Sequence, residues 1–168
     1  MNLRRILAHL FTTRTQVRRA FPARSIDAIE AAIRASEAAH SGEICFAVEG
    51  GLDGLPLFRG QQARERAIEL FAQLRVWDTE RNNGLLVYIL LADRAVEIVA
   101  DRGISARVAP DEWRTVCDQM TKSLVASHFE QAAIDGVRAV AQHLARHFPA
   151  APADAGRPNE LSDRPLIL

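Results

Sequence analysis

The chain has 168 residues, of which 48% are hydrophobic and 25% are charged, and its formal net charge is zero. This composition is typical of one globular domain with a well-filled core, and it excludes a mainly disordered chain. The longest apolar run covers residues 85–92, far fewer than the roughly 20 residues that span a bilayer.

The first 24 residues form a basic arm. They contain six arginines and no acidic residue, which leaves 15 basic and 21 acidic residues in the remainder, a charge of −6. Apolar residues at helical spacing predict an amphipathic helix; they are Leu3, Ile6, Leu7, Leu10 and Phe11. Two interpretations stay open: the helix packs on its own domain, or it contacts an anionic membrane surface or a protein partner.

Nucleic acid is a poor candidate partner, because the arm has no interleaved aromatic residues and the remainder is acidic. The N-terminal residues lack the apolar region and cleavage site of a signal peptide. The two cysteines, Cys45 and Cys117, lie in segments patterned as core and indicate no disulfide framework. We therefore expect a cytoplasmic protein, with the inner face of the membrane as an alternative location.

After the arm, helical and strand patterns alternate. Ser25 is expected to cap a helix, residues 43–49 alternate as a strand, and a second helix covers about residues 63–74. Residues 84–91 form a continuous apolar run typical of a central strand, and Asp93-Arg94 turns the chain into residues 95–100. Two further helices follow, the first of which begins near Pro110.

This order predicts an α/β fold, a three-layer α/β/α sandwich with a small mixed sheet and helices on both faces. Residues 1–24 are the basic arm, residues 25–148 the α/β domain, and residues 149–168 a tail rich in alanine and proline that is predicted to be disordered.

Parallel pairing of the first two strands would bring the carboxylates of Glu49, Asp53 and Asp93 to one edge of the sheet. Ligands of open α/β sheets usually bind beyond the carboxyl ends of the strands, so these three residues are the first candidate site for Ca²⁺ or Mg²⁺. The alternative is that Asp93-Arg94 is only turn chemistry.

The opposite edge supplies a second candidate site with Asp101, Glu43 and Asn82. Asp93 and Asp101 flank one strand and lie more than about 20 Å apart, so they cannot share an ion. The alternative for Asp101-Arg102 is an ion pair at the strand end.

Weaker candidates are explained more simply by structure. His143 and His147 lack the glutamate of the zinc-protease motif, and both cysteines are expected to be packed and inert. The loop at residues 50–54 fits neither a Walker loop nor a dinucleotide fingerprint, so no nucleotide or redox cofactor is indicated.

The order of these elements resembles the TPM domain over about residues 30–148. The likeness is carried by the motif N-G-L-L-x-x-x-L-x-x-D-R, the following D-R-G-I and the segment F-E-Q-A-A-I-D-G-V. The resemblance implies an α/β/α sandwich, and for some members acid phosphatase activity or binding of divalent cations such as Ca²⁺. Many members carry a signal peptide or a transmembrane helix. Because neither is recognised in this sequence, the chain is more similar to the shorter bacterial branch.

Two functions follow as hypotheses, and the residues leave open whether the protein is an enzyme. The first is a non-catalytic interaction module whose arm contacts a membrane surface or a partner. The alternative is a metal-assisted phosphatase acting on phosphomonoesters, in which Asp93 and Asp53 hold the ion and Arg94 steadies the developing charge.

Overall fold

The computed structural model describes residues 3–152 and 158–168. Within these ranges the chain forms eight helices and four strands. In chain order they are α1 (Leu3–Phe11), α2 (Arg14–Ala20), α3 (Ala23–Ser36), β1 (Glu43–Glu49), α4 (Gly54–Phe58), α5 (Ala63–Gln73), β2 (Gly84–Leu90), β3 (Ala95–Ala100), α6 (Arg102–Ser105), α7 (Pro110–Val125), α8 (Phe129–His147) and β4 (Leu166–Ile167).

The strands form one mixed sheet in the order β3-β2-β1-β4. β1 pairs in parallel with β2, β2 is antiparallel to β3, and β4 adds in parallel to the other side of β1. Every residue of β2 is buried, as the continuous apolar run predicts for a strand covered on both faces. The predicted mixed sheet is confirmed.

The alternation of side chains along the strands divides the core into two layers. On one face Ile44, Phe46 and Val48 pack with α3, α7 and α8. On the other face Cys45 and Ala47 pack with residues from α1, α4 and α5. Helices therefore cover both faces of the sheet, and the predicted α/β/α sandwich is confirmed.

The C-terminal tail differs from the disorder expected for residues 149–168. In the described residues 158–168, Leu161 and Leu166 pack against the core, and the Leu168 amide donates to the Val48 carbonyl at 2.9 Å. Arg164 holds the tail to α3 through Asp27 and Glu30. Long-range pairing thus supplies the order that the local composition does not indicate. Residues 153–157 lie outside the described residues.

Two carboxyl groups meet where the tail crosses the end of α3. Partial burial, a hydrogen bond with Asp163 and the charges of Asp163 and Glu43 raise the pKa of the Glu37 carboxyl to about 7, against an ordinary value of 4.5. Arg34 opposes this change, and its guanidinium donates to Asp163 at 3.4 Å. The Glu37 proton therefore relieves a repulsion between α3 and the tail.

We predict that the tail is held less firmly at alkaline pH. Because the folded-state pKa of Glu37 is raised, its contribution to stability is present below pH 4.5 and is lost as the pH rises through about 7. The measurement is hydrogen exchange of the Leu168 amide, corrected for its intrinsic rate. Its protection factor should fall roughly tenfold between pH 5.5 and pH 8. The full shift in pKa would give a larger change, but Glu37 is only half-buried and solvent screens part of the effect.

Glu37→Gln should remove this pH dependence, whereas Glu69→Gln, at an exposed position on α5, should keep it. Equal protection at both pH values in the unsubstituted protein would contradict the assignment.

Candidate functional site

The first predicted site lies where β1 and β2 end and the β2–β3 turn begins. The ladder continues beyond both strands, since the Leu91 amide donates to the Glu49 carbonyl and the Ala92 amide to the Gly50 carbonyl, each at 2.9 Å. The turn is closed by Arg94, whose φ of 49° lies in the left-handed region. Asp93 is thereby placed at the carboxyl edge of the sheet, as the sequence predicts.

Asp93 is engaged by two residues of the N-terminal helix. Arg5 donates through Nε to both carboxylate oxygens at 3.0 and 3.1 Å, and through Nη2 to Oδ2 at 2.8 Å. The Nε2 atom of His9 lies 2.9 Å from Oδ1. We call this set, Arg5, His9 and Asp93, the Asp93 clasp. It joins the β2–β3 turn to α1 and uses both oxygens of the carboxylate.

The tautomer of His9 follows from its second contact. Its Nδ1 atom accepts the Leu52 amide at 2.8 Å, so the proton of the neutral ring must lie on Nε2 and point at Asp93. The His9 side chain is fully buried. The backbone also approaches closely, because a Cβ on Gly51 would lie 2.9 Å from the His9 carbonyl oxygen. Helix α1 is therefore fixed in both position and rotation.

The electrostatics of the clasp favour a charged Asp93. Partial burial raises the pKa of this carboxyl, but the hydrogen bonds from Arg5 and His9 and the charge of Arg5 outweigh burial, and the net pKa is below the ordinary 3.8. The resulting stabilisation is present above pH 3.8 and is lost as the pH falls through the lower folded-state pKa.

The other two residues of the first candidate site, Glu49 and Asp53, make no hydrogen bond to the Asp93 clasp in the described chain. Glu49 accepts from Arg66 at 2.9 Å and from the Tyr88 hydroxyl at 2.6 Å. Burial, and then the hydrogen bond to Glu49, raise the pKa of Tyr88, so the phenol keeps its proton. Asp53 is exposed at the N-terminus of the short helix α4.

In the second candidate site, Asp101 and Asn82 both accept a hydrogen bond from Arg102. Asp101 is buried and accepts the Arg102 amide at 2.7 Å, at the start of α6. The Arg102 guanidinium donates to Asn82 at 2.8 Å, so the expected Asp101-Arg102 ion pair is replaced by a helix cap. Glu43 faces Glu37 near the tail. Among residues 3–152 and 158–168, no three His, Cys, Asp or Glu side chains are grouped to hold an ion.

The weaker candidates fall to structural roles. His143 lies 3.2 Å from Glu112 and edge-on to Trp113. Burial raises the pKa of the thiols to about 11 for Cys45 and about 12 for Cys117, which disfavours the thiolate that a nucleophile needs.

Helix α1 docks through Arg5, Ile6 and His9. Ile6 and His9 are buried, whereas Leu3 and Phe11 are each 69% exposed, Leu10 56% and Leu7 45%. Helix α4 lies beside α1 and adds the exposed side chains Leu55 and Phe58. We call these six residues, Leu3, Leu7, Leu10, Phe11, Leu55 and Phe58, the outer face. No described helix is both long and apolar enough to cross a membrane.

Five exposed arginines near the N-terminus and on the segment after α4 pair with no carboxylate in the described chain; they are Arg14, Arg18, Arg19, Arg24 and Arg59. Several arginines elsewhere do pair with a carboxylate, for example Arg66 with Glu49 and Arg164 with Glu30. Positive charge is therefore uncompensated in the same part of the chain as the outer face.

The chain is similar to known proteins over most of its length. A sequence model of the TPM domain matches residues 17–143. The NMR structure of the BA42 protein from the psychrophilic bacterium Bizionia argentinensis is 28% identical, with a TM-score of 0.74, over 88% of this chain and 95% of that chain.

A second neighbour is the solution NMR structure of the N-terminal domain of a protein from P. gingivalis. It is 21% identical, with a TM-score of 0.58, over 77% of this chain and 81% of that chain. This likeness shows the fold alone. No significant match was found among curated proteins.

We predict that Asp93→Asn lowers the free energy of unfolding by about 1–3 kcal/mol, because it leaves the buried His9 ring and the partly exposed Arg5 facing a neutral amide. Urea unfolding measures this loss. Trypsin cleavage after Arg14 and Arg18 should also accelerate, since α1 loses its attachment.

The matched control is Asp135→Asn, which removes an exposed and longer ion pair and should cost under about 0.5 kcal/mol. A double-mutant cycle with Arg5→Gln and Asp93→Asn should be strongly non-additive. Additive losses would contradict the clasp.

Proposed function

The chain belongs to the TPM domain family, and we propose that within it this protein is a non-catalytic interaction module that binds an anionic membrane surface through the outer face. The observation that carries the proposal is the rotation of α1, an amphipathic helix that docks by the Asp93 clasp and turns its apolar side chains to solvent.

The rotation is costly for an isolated domain. Burying a leucine side chain contributes roughly 1.5–3 kcal/mol, yet the clasp holds Leu3, Leu7 and Leu10 away from the core. Contiguous exposed apolar side chains mark contact surfaces in soluble proteins. The outer face therefore has the character of a surface that becomes covered on binding.

The positive charge near the outer face favours an anionic lipid surface as its binding partner. Arg14, Arg18 and Arg59 have no carboxylate partner in the described chain, and each basic residue near an anionic bilayer contributes about 1 kcal/mol. The rest of the chain, residues 25–168, carries a charge of −6 and is repelled by the same surface. The protein would thus approach an acidic membrane with its basic N-terminal arm leading, and it would bind at the membrane–water interface.

The phosphatase hypothesis ranks second. It needs Asp93 as a ligand for a divalent ion, and both oxygens of Asp93 already accept from Arg5 and His9. An ion held by Asp93 would have to displace α1.

We predict binding to phosphatidylglycerol vesicles in co-sedimentation, weakened by added salt and absent with phosphatidylcholine alone. The double variant Leu7→Gln/Leu10→Gln should bind at least tenfold more weakly, because two side chains no longer enter the interface.

The matched control is Ile68→Gln, which changes an apolar side chain that is 50% exposed on α5 and should leave binding unchanged. The proposal fails if the unsubstituted protein does not sediment with acidic vesicles, or if both variants bind equally.

For the alternative function, we predict no hydrolysis of a phosphomonoester above background with Ca²⁺, Mg²⁺ or Mn²⁺. Turnover that disappears in Asp93→Asn, while Asp135→Asn retains it, would establish the phosphatase in place of the interaction module.

A further inference from the structure

A second feature of the carboxyl edge is a hollow of about 350 Å³ between α2 and the β2–β3 turn. It is lined by Thr12, Gln16, Arg19, Ala20, Leu91, Arg94 and Phe129. Its position beyond the parallel strands β1 and β2 is the usual place for a ligand in an open α/β sheet, and its volume lies at the lower end of small-molecule sites.

The charge of the hollow is entirely positive. Arg19 has no carboxylate partner in the described chain. Arg94 donates through Nη1 to the carbonyls of Leu124 and Val125, each at 2.7 Å, which fixes the guanidinium without neutralising it by an acid. Among residues 3–152 and 158–168, no acidic side chain lines the cavity. These two arginines favour an anion.

A second hollow of similar size lacks this excess of positive charge. The hollow of about 400 Å³ beside β3 also holds two arginines, Arg64 and Arg114, but Glu97 and Asp118 line it as well. Arg64 lies 3.6 Å from Glu97. That hollow has no net charge to recruit an anion.

The rest of the charged hollow is mainly apolar. Ala20, Leu91 and Phe129 form one part of its lining, and Gln16 adds a neutral polar group. A free, fully hydrated anion would gain nothing from these side chains, whereas an alkyl chain would be removed from water there.

We infer that this hollow binds a single-chain amphiphile with a phosphate head, the phosphate contacting Arg19 and Arg94 and the first part of the alkyl chain lying on Leu91 and Phe129. The ligand class follows from two guanidinium groups that have no carboxylate partner in the described chain and lie beside an apolar surface. The site does not depend on the membrane contact proposed above, because the outer face contributes none of its lining residues.

The test is calorimetry with monomeric dodecyl phosphate below its critical micelle concentration, without vesicles. The full chain should bind one equivalent, and inorganic phosphate and dodecyl maltoside should each bind at least tenfold more weakly. Arg19→Gln should weaken dodecyl phosphate binding at least tenfold. Arg18→Gln is the matched control, since Arg18 is exposed and unpaired on the same helix but does not line the hollow.

Ala20→Trp, which places an indole in the cavity, should abolish binding, whereas Leu7→Gln/Leu10→Gln should leave it unchanged even where vesicle binding is lost. Four outcomes would overturn the inference: no binding of dodecyl phosphate, equal binding of inorganic phosphate, equal binding of the uncharged detergent, or equal weakening by Arg18→Gln and Arg19→Gln.

Discussion

A single carboxylate, that of Asp93, decides which side of an amphipathic helix meets the domain. Apolar contacts alone would turn the leucines of α1 toward the core, because the hydrophobic effect favours whichever rotation of the helix buries the most apolar surface. The bidentate contact from Arg5 and the oriented ring of His9 oppose that rotation, and removing either partner would leave a buried charged or polar group unsatisfied. The exposed apolar surface and the uncompensated arginines beside it are therefore consequences of one specific polar contact.

The sheet and its two helical layers could be predicted because their signals are local. The continuous apolar run through β2 indicates burial on both faces, and the alternation in β1 assigns Ile44 and Cys45 to opposite layers. Pro110 marks the first residue of α7, since its fixed φ and missing amide suit the first turn. In each case the residues that carry the signal are also the residues that form the element.

The parts that could not be predicted depend on residues far apart in the chain. Arg5 and Asp93 are 88 positions apart, and nothing in the local pattern of either indicates the other. The tail reads as disordered from its composition, but β4 is added to β1 by backbone pairing that leaves little trace in the sequence. Sequence reasoning places Asp93 and Glu49 at the ends of their strands, but only the structure identifies Arg5 and Arg66 as their partners.

The separation between Arg5 and Asp93 has a consequence for the order of folding. A ribosome releases α1 well before it makes the β2–β3 turn, so the helix waits for its attachment point while some 80 further residues are synthesised. We expect the contact between Arg5 and Asp93 to form late. It closes a long loop, and the β2–β3 hairpin that carries Asp93 must first pair with β1. We therefore expect α1 to be fixed only after β2 and β3 have formed, and until then the nascent chain presents a basic, apolar peptide to its surroundings.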